Sequence, residues 1–224
     1  MQGLPHRDVR LPGTPPLRRC QGTLRGVARV RIGEACLLEQ RLRAEIVAAG
    51  ATLARLGLVR GAEGNISVRL DDRRCLVTPS GWSKGRLVGA RLVLCEIDGE
   101  PASGASSEAL AHLLTYRRCP EVAALVHAHP PAVLALATRG AIPDPGLLRE
   151  GGLLVPRIAR VPALPPGSRE LAEECALALG RGPAVVMARH GAMTSGATLR
   201  EALQRMEILE LLAATALAAH GGRP

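Results

Sequence analysis

Phenylalanine is absent from the 224 residues, and Trp82 and Tyr116 are the only other members of the aromatic set. Recognition of unpaired nucleic acid leans on bases stacked against such rings, so a chain this poor in them is not built for that role. Lysine is nearly missing as well. Lys84 is the one lysine among 29 basic residues, a preference for arginine that a GC-rich coding bias explains and that carries no mechanistic weight. The six cysteines (Cys20, Cys36, Cys75, Cys95, Cys119 and Cys175) include no C-x-x-C pair to pinch a metal or a redox disulfide. Scattered in this way, they read as small buried hydrophobes in a reducing cytosol. No apolar run reaches the roughly 18–20 residues of a membrane span, and no charged-then-apolar leader opens the chain. The expectation is a soluble, cytoplasmic protein with neither nucleic acid nor membrane as partner.

What is present is enough for one large α/β domain, since 47% of the residues are hydrophobic. The formal charge of +9 is concentrated at one end. Seven arginines (Arg7, Arg10, Arg18, Arg19, Arg25, Arg29 and Arg31) stand against Asp8 in the first 31 residues, a local +6 that leaves the body mildly basic. That stretch also holds Pro5, Pro12, Pro15 and Pro16 and lacks helical or strand periodicity. Residues 1–32 are therefore expected to be a flexible basic arm, and residues 33–221 the folded domain. The arm is either a bare extension or a contact for a partner or neighbouring subunit.

Glu34 to Leu56 shows helical spacing of apolar residues with Gly57 as its stop. Gly64 to Leu70 and Cys75 to Val77 read as a hairpin ending in the turn Thr78-Pro79-Ser80-Gly81, and Leu92 to Glu96 as a further strand. A helix capped by Ser106 or Ser107 runs through Tyr116 and stops at Pro120. Val122 to His127 is a buried strand, Pro130 opens a short helix, and Val155 to Val161 returns as a strand. Ser168 to Leu179 is helical and Ala184 to Ala188 is an apolar strand. Thr198 with Glu201 forms a capping box for a last helix reaching about Ala219. No internal repeat is visible. The alternation lacks strict βαβ regularity, so the fold class is α/β with a mixed sheet and helices packed on it.

In Val126-His127-Ala128-His129 two histidines lie two apart at a strand end, where a period of two puts both imidazoles on one face. His190 stands at the end of another apolar strand and is followed by Gly191, which permits close approach. Three imidazoles with an open position are the pattern of a catalytic zinc site, whereas structural zinc is usually closed by four ligands. Alone, the His-x-His pair reads equally as two half-exposed strand residues. Glu108, at a helix start behind Ser106 and Ser107, is placed to be a base or a labile fourth ligand. The two serines make a phosphate cradle or simply a cap. Glu63-Gly64-Asn65-Ile66-Ser67-Val68-Arg69 and Thr78-Pro79-Ser80-Gly81 are either phosphate loops or turns.

In this order, Gly64-Asn65-Ile66-Ser67-Val68-Arg69, Thr78-Pro79-Ser80-Gly81, Ser106-Ser107-Glu108, His127-Ala128-His129-Pro130 and His190-Gly191 resemble the class II aldolase/adducin family from about Glu34 to Ala219. The resemblance implies a mixed, mainly antiparallel sheet sandwiched between helical layers, assembled as a homotetramer with active sites at subunit interfaces. It implies Zn2+ bound by His127, His129 and His190, with Glu108 as a ligand of the empty metal and then as catalytic acid/base. Asn65, Ser80, Gly81, Ser106 and Ser107 match the family's phosphate-binding positions. The implied activity is cleavage of an L-fuculose-1-phosphate-like ketose 1-phosphate to dihydroxyacetone phosphate and an aldehyde, through an enediolate.

One departure concerns the tyrosine that the family's aldolases use as a second acid. Its position falls near Leu147, and Glu150 is the nearest replacement; Tyr116 reads as structural. The alternatives are therefore a decarboxylase or dehydratase of a sugar-acid or ketose phosphate on the same zinc site, or a non-enzymatic adducin-like interaction module. An epimerase fits less well, because Pro130 and Ala192-Met193 stand where epimerases carry serine and Pro-Phe. His112, one turn after Glu108, is read as supporting or packing the site in preference to ligating. His6 and His220 fall in the tails and are read as irrelevant.

Overall fold

The computed structural model describes residues 32–221; the basic arm expected over residues 1–32, with Cys20 and His6, lies almost wholly outside them. The helix α1 (Ile32–Arg55) runs two residues earlier than its apolar periodicity suggested and gives way to Gly57, whose φ of 71° is the left-handed conformation that ends helices. Seven strands follow among the described residues: β1 (Asn65–Arg69), β2 (Arg74–Val77), β3 (Val93–Glu96), β4 (Ala124–Ala128), β5 (Ile158–Val161), β6 (Ala184–Met187) and β7 (Gly191–Gly196). They form one sheet in the order β3-β2-β1-β4-β7-β6-β5. Every pair is antiparallel except β5 with β6. The other helices are α2 (Ala109–Arg118), α3 (Pro131–Thr138), α4 (Arg149–Leu154), α5 (Arg169–Leu179) and α6 (Leu199–Gly221).

Strand alternation sorts the core into two layers. Ile66, Val68, Ala124, Val126, Ala184 and Val186 face one side and pack with Ile46 and Leu53 of α1, Val133 of α3, and Met206 and Leu209 of α6. Leu125, Val185, Met187 and Met193 face the other side, against Leu113 and Tyr116 of α2 and Leu171 and Cys175 of α5. The sheet is thus sandwiched between helical layers. The same parity puts Asn65, Ser67 and His127 on the α2–α5 face. Cys75, Cys95, Cys119 and Cys175 are buried as expected, but Cys36 is exposed on α1.

Three local expectations are corrected. The strand over Val155–Val161 begins only at Ile158, because the preceding residues form a 3-10 turn (Pro145–Leu147) and α4. Gly151 allows that short helix to lie on α6: a Cβ there would stand 2.4 Å from the Pro145 carbonyl and 2.9 Å from the Leu212 side chain. Second, β7 had no apolar signature, since Gly-Ala-Met-Thr-Ser-Gly is small and mixed, yet all six residues are buried between β4 and β6. Third, neither serine caps α2. Glu108 occupies the cap position, its N–H donating to Ser106 Oγ at 3.4 Å. The capping oxygen is thereby turned back on the Glu108 backbone.

Candidate metal centre and pocket

His127 stands near the end of β4, completely buried, and His129 lies just past that strand. His190 sits in the tight turn joining β6 to β7, three residues beyond the end of β6, with Arg189 beside it in the left-handed conformation (φ 59°). Because β4 pairs with β7, the turn brings the third ring against the other two. Ring centroids are 5.0 Å apart for His127–His129, 5.0 Å for His127–His190 and 5.3 Å for His129–His190. One nitrogen from each ring lies within 4.8 Å of the others. Glycine is required here: a Cβ at Gly191 would stand 2.5 Å from the Ala128 carbonyl and 2.8 and 2.9 Å from the His129 and His127 rings.

The hydrogen bonds behind the rings fix which nitrogens point inward. His127 Nδ1–H donates to the Ala192 carbonyl at 2.9 Å, and His129 Nδ1–H donates to Glu63 Oε2 at 3.1 Å. Both Nε2 atoms then carry lone pairs, and they face each other at 3.2 Å. Two acceptors at that distance repel unless a cation lies between them, and about 3.3 Å is the spacing of two imidazole nitrogens bound tetrahedrally to one zinc ion. Carboxylate or carbonyl support behind a ligating histidine is itself typical of metal sites. Burial, with His127 alongside, pushes His129 down to about 4, so its lone pair stays available at neutral pH. The buried His190 Nδ1 has no hydrogen-bond partner among the described residues, so the placement of this ring is rewarded only through its other nitrogen. The donor set fits a borderline-soft divalent ion such as Zn2+.

Glu108 completes the cluster. Its Oε2 lies 3.0 Å from His127 Nε2 and its Oε1 lies 3.1 Å from His190 Nε2. Burial alone would raise its carboxyl, and His127 and His190 lower it by more when their Nε2 atoms carry protons; with those nitrogens bare, a cation at the centre takes the place of the protons in holding Glu108 ionised. His112 is not part of the cluster. It is fully buried against Asn65 and Ser67, and burial pushes it down to about 3.

A pocket of about 160 Å³ opens beside Glu108, His129 and His190, and its wall includes Asn65, Ser80, Gly81, Ser106 and Ser107. All five residues matched to phosphate are thus gathered at one cavity. The two loops are stitched together, as Ser80 N–H donates to the Gly104 carbonyl at 3.0 Å and Ser106 N–H to the Thr78 carbonyl at 3.1 Å. Those two main-chain donors are thereby spent, as in a turn, while the side chains of both loops still line the cavity. Asn65 is committed too, its amide donating to Glu108 Oε2 at 3.1 Å.

Two pocket residues escaped the reading of the sequence. Glu63 orients His129, a pairing across 66 positions that no local pattern announces. Lys84 is 2% exposed, and its ammonium donates to the carbonyls of Ala62 at 2.8 Å and Trp82 at 2.7 Å. Among the described residues it is the only lysine or arginine lining the pocket. Burial pushes it down to about 8, against the pull of Glu63. The chain-wide preference for arginine gave no hint of where this one lysine sits. Glu150, by contrast, is exposed at the start of α4 and does not reach the pocket within one chain.

A mixed sheet between helical layers carries a three-histidine cluster that could hold a metal ion at the mouth of a polar pocket, and these features define the class of α/β protein to which the chain is compared. The chain belongs to the class II aldolase and adducin family, whose N-terminal domain model matches residues 44–217. It is 37% identical over 178 residues to 3-oxo-tetronate 4-phosphate decarboxylase of Pectobacterium atrosepticum, covering 77% of this chain and 82% of that protein. It is 34% identical over 182 residues to methylthioribulose-1-phosphate dehydratase of Methylococcus capsulatus, covering 75% and 89%. Among solved structures, L-fuculose-1-phosphate aldolase of Thermus thermophilus superimposes with a TM-score of 0.76 at 31% identity, over 83% of this chain and 98% of that one.

Proposed function

We propose that the chain is a Zn2+-dependent decarboxylase of a phosphorylated 3-oxo sugar acid, with Glu108 as its acid/base. The observation that carries this reading is that, among the described residues, the pocket has no tyrosine, and that Glu63 is engaged by His129 and Lys84 by the Ala62 and Trp82 carbonyls, which leaves Glu108 as the acid/base group facing the histidine cluster. Tyr116 is buried with its hydroxyl 2.7 Å from Ser67 Oγ, out of reach of a substrate. Zn2+ held by His127, His129 and His190 supplies a Lewis acid for the ketone oxygen. When the bond between the carboxylate carbon and C2 breaks, its electron pair stays on C2, conjugated with the C3 ketone, and CO2 leaves without a proton. A single proton must then reach C2. Glu108, a carboxylate in this site, takes it from a solvent water and passes it to C2, the hydroxide left behind joining CO2 as bicarbonate, whereas aldol cleavage also requires a proton to be taken from a hydroxyl on the departing fragment. Ser80, Gly81, Ser106 and Ser107 bind the phosphate and fix C2 against Glu108. The likeness to the Pectobacterium decarboxylase supports the same reading.

Aldolase cleavage of a ketose 1-phosphate, the activity implied by the motifs, uses the same residues and is the second reading, favoured by the likeness to the Thermus aldolase. The zinc-loaded protein should release CO2 and dihydroxyacetone phosphate from 3-oxo-tetronate 4-phosphate. Aldehyde release from L-fuculose 1-phosphate, with no CO2 from the acid, would overturn the decarboxylase in favour of the aldolase. No turnover and no bound zinc would leave the interaction module. The same reading makes the chain a homotetramer, supported by the exposed Leu37, Leu38 and Leu153, and light scattering should return four chain masses.

A further inference from the structure

We propose that Lys84 supplies the positive charge at the phosphate end of the pocket, binding the substrate's phosphate dianion alongside the neutral residues matched to it. The inference rests on the pocket taking a phosphate, as proposed above, and holds for either reaction considered there. Asn65, Ser80, Gly81, Ser106 and Ser107 line the cavity and none of them carries a charge. The carboxylates of Glu63 and Glu108 share the same wall. A dianion entering there meets two acids. Among the described residues Lys84 is the one lysine or arginine on the wall to set against them, while a metal at the histidines is assigned to the ketone oxygen.

The fold explains how the ammonium comes to lie there. The β1–β2 hairpin continues as far as Thr78, whose N–H donates to the Ile66 carbonyl at 2.9 Å, and its two chains then part. Asn65 pairs with His127 of β4, whereas Pro79 and Ser80 turn towards Ala105 and Gly104. The pocket is lined from both sides of this fork. Lys84 opens a 3-10 turn (Lys84–Arg86) and bridges the fork, its ammonium donating to Ala62 on one chain and to Trp82, next to Gly81, on the other. The turn is pressed on α1, where a Cβ at Gly50 would stand 2.4 Å from the Lys84 carbonyl. Both acceptors of the ammonium are neutral, and it has three protons. The third has no partner among the described residues. Burial pushes Lys84 down to about 8 against the pull of Glu63, so the ligand-free site holds this charge at a cost that a bound anion offsets. Glu63 is the charged group that acts on it; Glu108, His129 and His190 share the pocket wall, and Gly50 of α1 carries no charge.

Because Lys84 is the only lysine in the chain, protein labelled with 13C at lysine Cε gives a single signal, whose titration is that of this one group. The probe is inorganic sulfate, which stays dianionic throughout the titration. In the zinc-loaded full chain, Lys84 should titrate higher with sulfate bound than without it, because a nearby anion favours the charged form. Sulfate should compete with the substrate found above about 10–100-fold more weakly at pH values above that titration than below it, the range for a hydrogen bond from a charged donor. In Lys84→Met, kcat/KM for the phosphorylated substrate relative to the same compound without its phosphate should fall by a similar factor, through KM. An equal loss on both compounds, as collapsed loops or a bound carboxylate would give, would overturn the proposal. So would a lysine signal that titrates identically with and without sulfate, a readout that needs no variant to fold. Sulfate that fails to compete in the wild type defeats the phosphate reading itself, and the proposal with it. Sulfate that competes equally well against wild type and Lys84→Met defeats only the role of Lys84.

Discussion

Lys84 carries a measurable signature at the scale of a single side chain. Its ammonium is buried and pushed down to about 8 from an ordinary 10.5, so between those values the unfolded chain binds more protons than the folded one. Stability contributed by this group therefore rises with pH across that window, and below it the buried charge is a standing cost. The difference in urea midpoint between the wild type and Lys84→Met should accordingly shift steadily in favour of the wild type as pH rises through the window. A constant difference would show that the lysine titrates normally. At Glu108 the expected outcome is a division of labour. Glu108→Gln keeps three imidazoles for zinc but has no proton to exchange, so turnover should fall about 10²–10⁴-fold while metal content holds. The three histidines and Glu108 could be read from the sequence because their residue types announce chemistry. Lys84 and Glu63 could not, because their meaning comes from burial and from partners far along the chain.

At the scale of elements, the site depends on how closely β7 lies against β4. Gly191↔Met187 and Ala192↔Ala128 pairing sets the turn that carries His190, and the Ala192 carbonyl holds the His127 ring. Gly191→Ala should therefore act twice. Its methyl group meets backbone and two rings within 3 Å, so overpacking should cost about 1–3 kcal/mol, and the displaced rings should weaken zinc binding. Thermal melts and zinc titrations of this variant should move together; a stability loss at full zinc affinity would mean that the rings adjust independently. Helices α1, α5 and α6 were legible in the sequence, and Thr198 does accept from Glu201 N–H at 3.2 Å as the capping box before α6 suggested. The strand β7 was invisible because its burial is set by its neighbours on both sides and not by its own side chains. The cap of α2 was misplaced by one or two residues for a similar reason, since Glu108 is held there by histidines from other elements.

Across the whole molecule, the order of strands is what assembles the site, and no local pattern encodes it. The layered α/β class followed from alternating elements, but the neighbours β1-β4-β7 arise from pairings between residues up to 72 positions apart, such as Ala124↔Gly196. This order joins the Asn65 strand, the His127 strand and the His190 turn into one wall, while α2 brings Glu108 from the helical layer. A metal bound there ties β4, the β6–β7 turn and the start of α2 together, and none of those groups is close in the unfolded chain. Metal binding must therefore stabilise the fold as a whole. At a free zinc concentration near 100 times Kd the gain is about 2.7 kcal/mol, which for a domain of this size is a rise of about 5–10 °C in Tm. Stripping with a chelator should lower Tm by that amount, and Zn2+ should restore it. Mg2+ should not, because three imidazole nitrogens suit a borderline-soft ion and not one that prefers oxygen. In His127→Ala the response to zinc should largely vanish, since the remaining pair, His129 and His190, lacks the buried ring that both of them contact. A Tm that ignores both chelator and zinc in the wild type would remove the metal from this centre, and with it the Lewis acid on which the proposed decarboxylation depends.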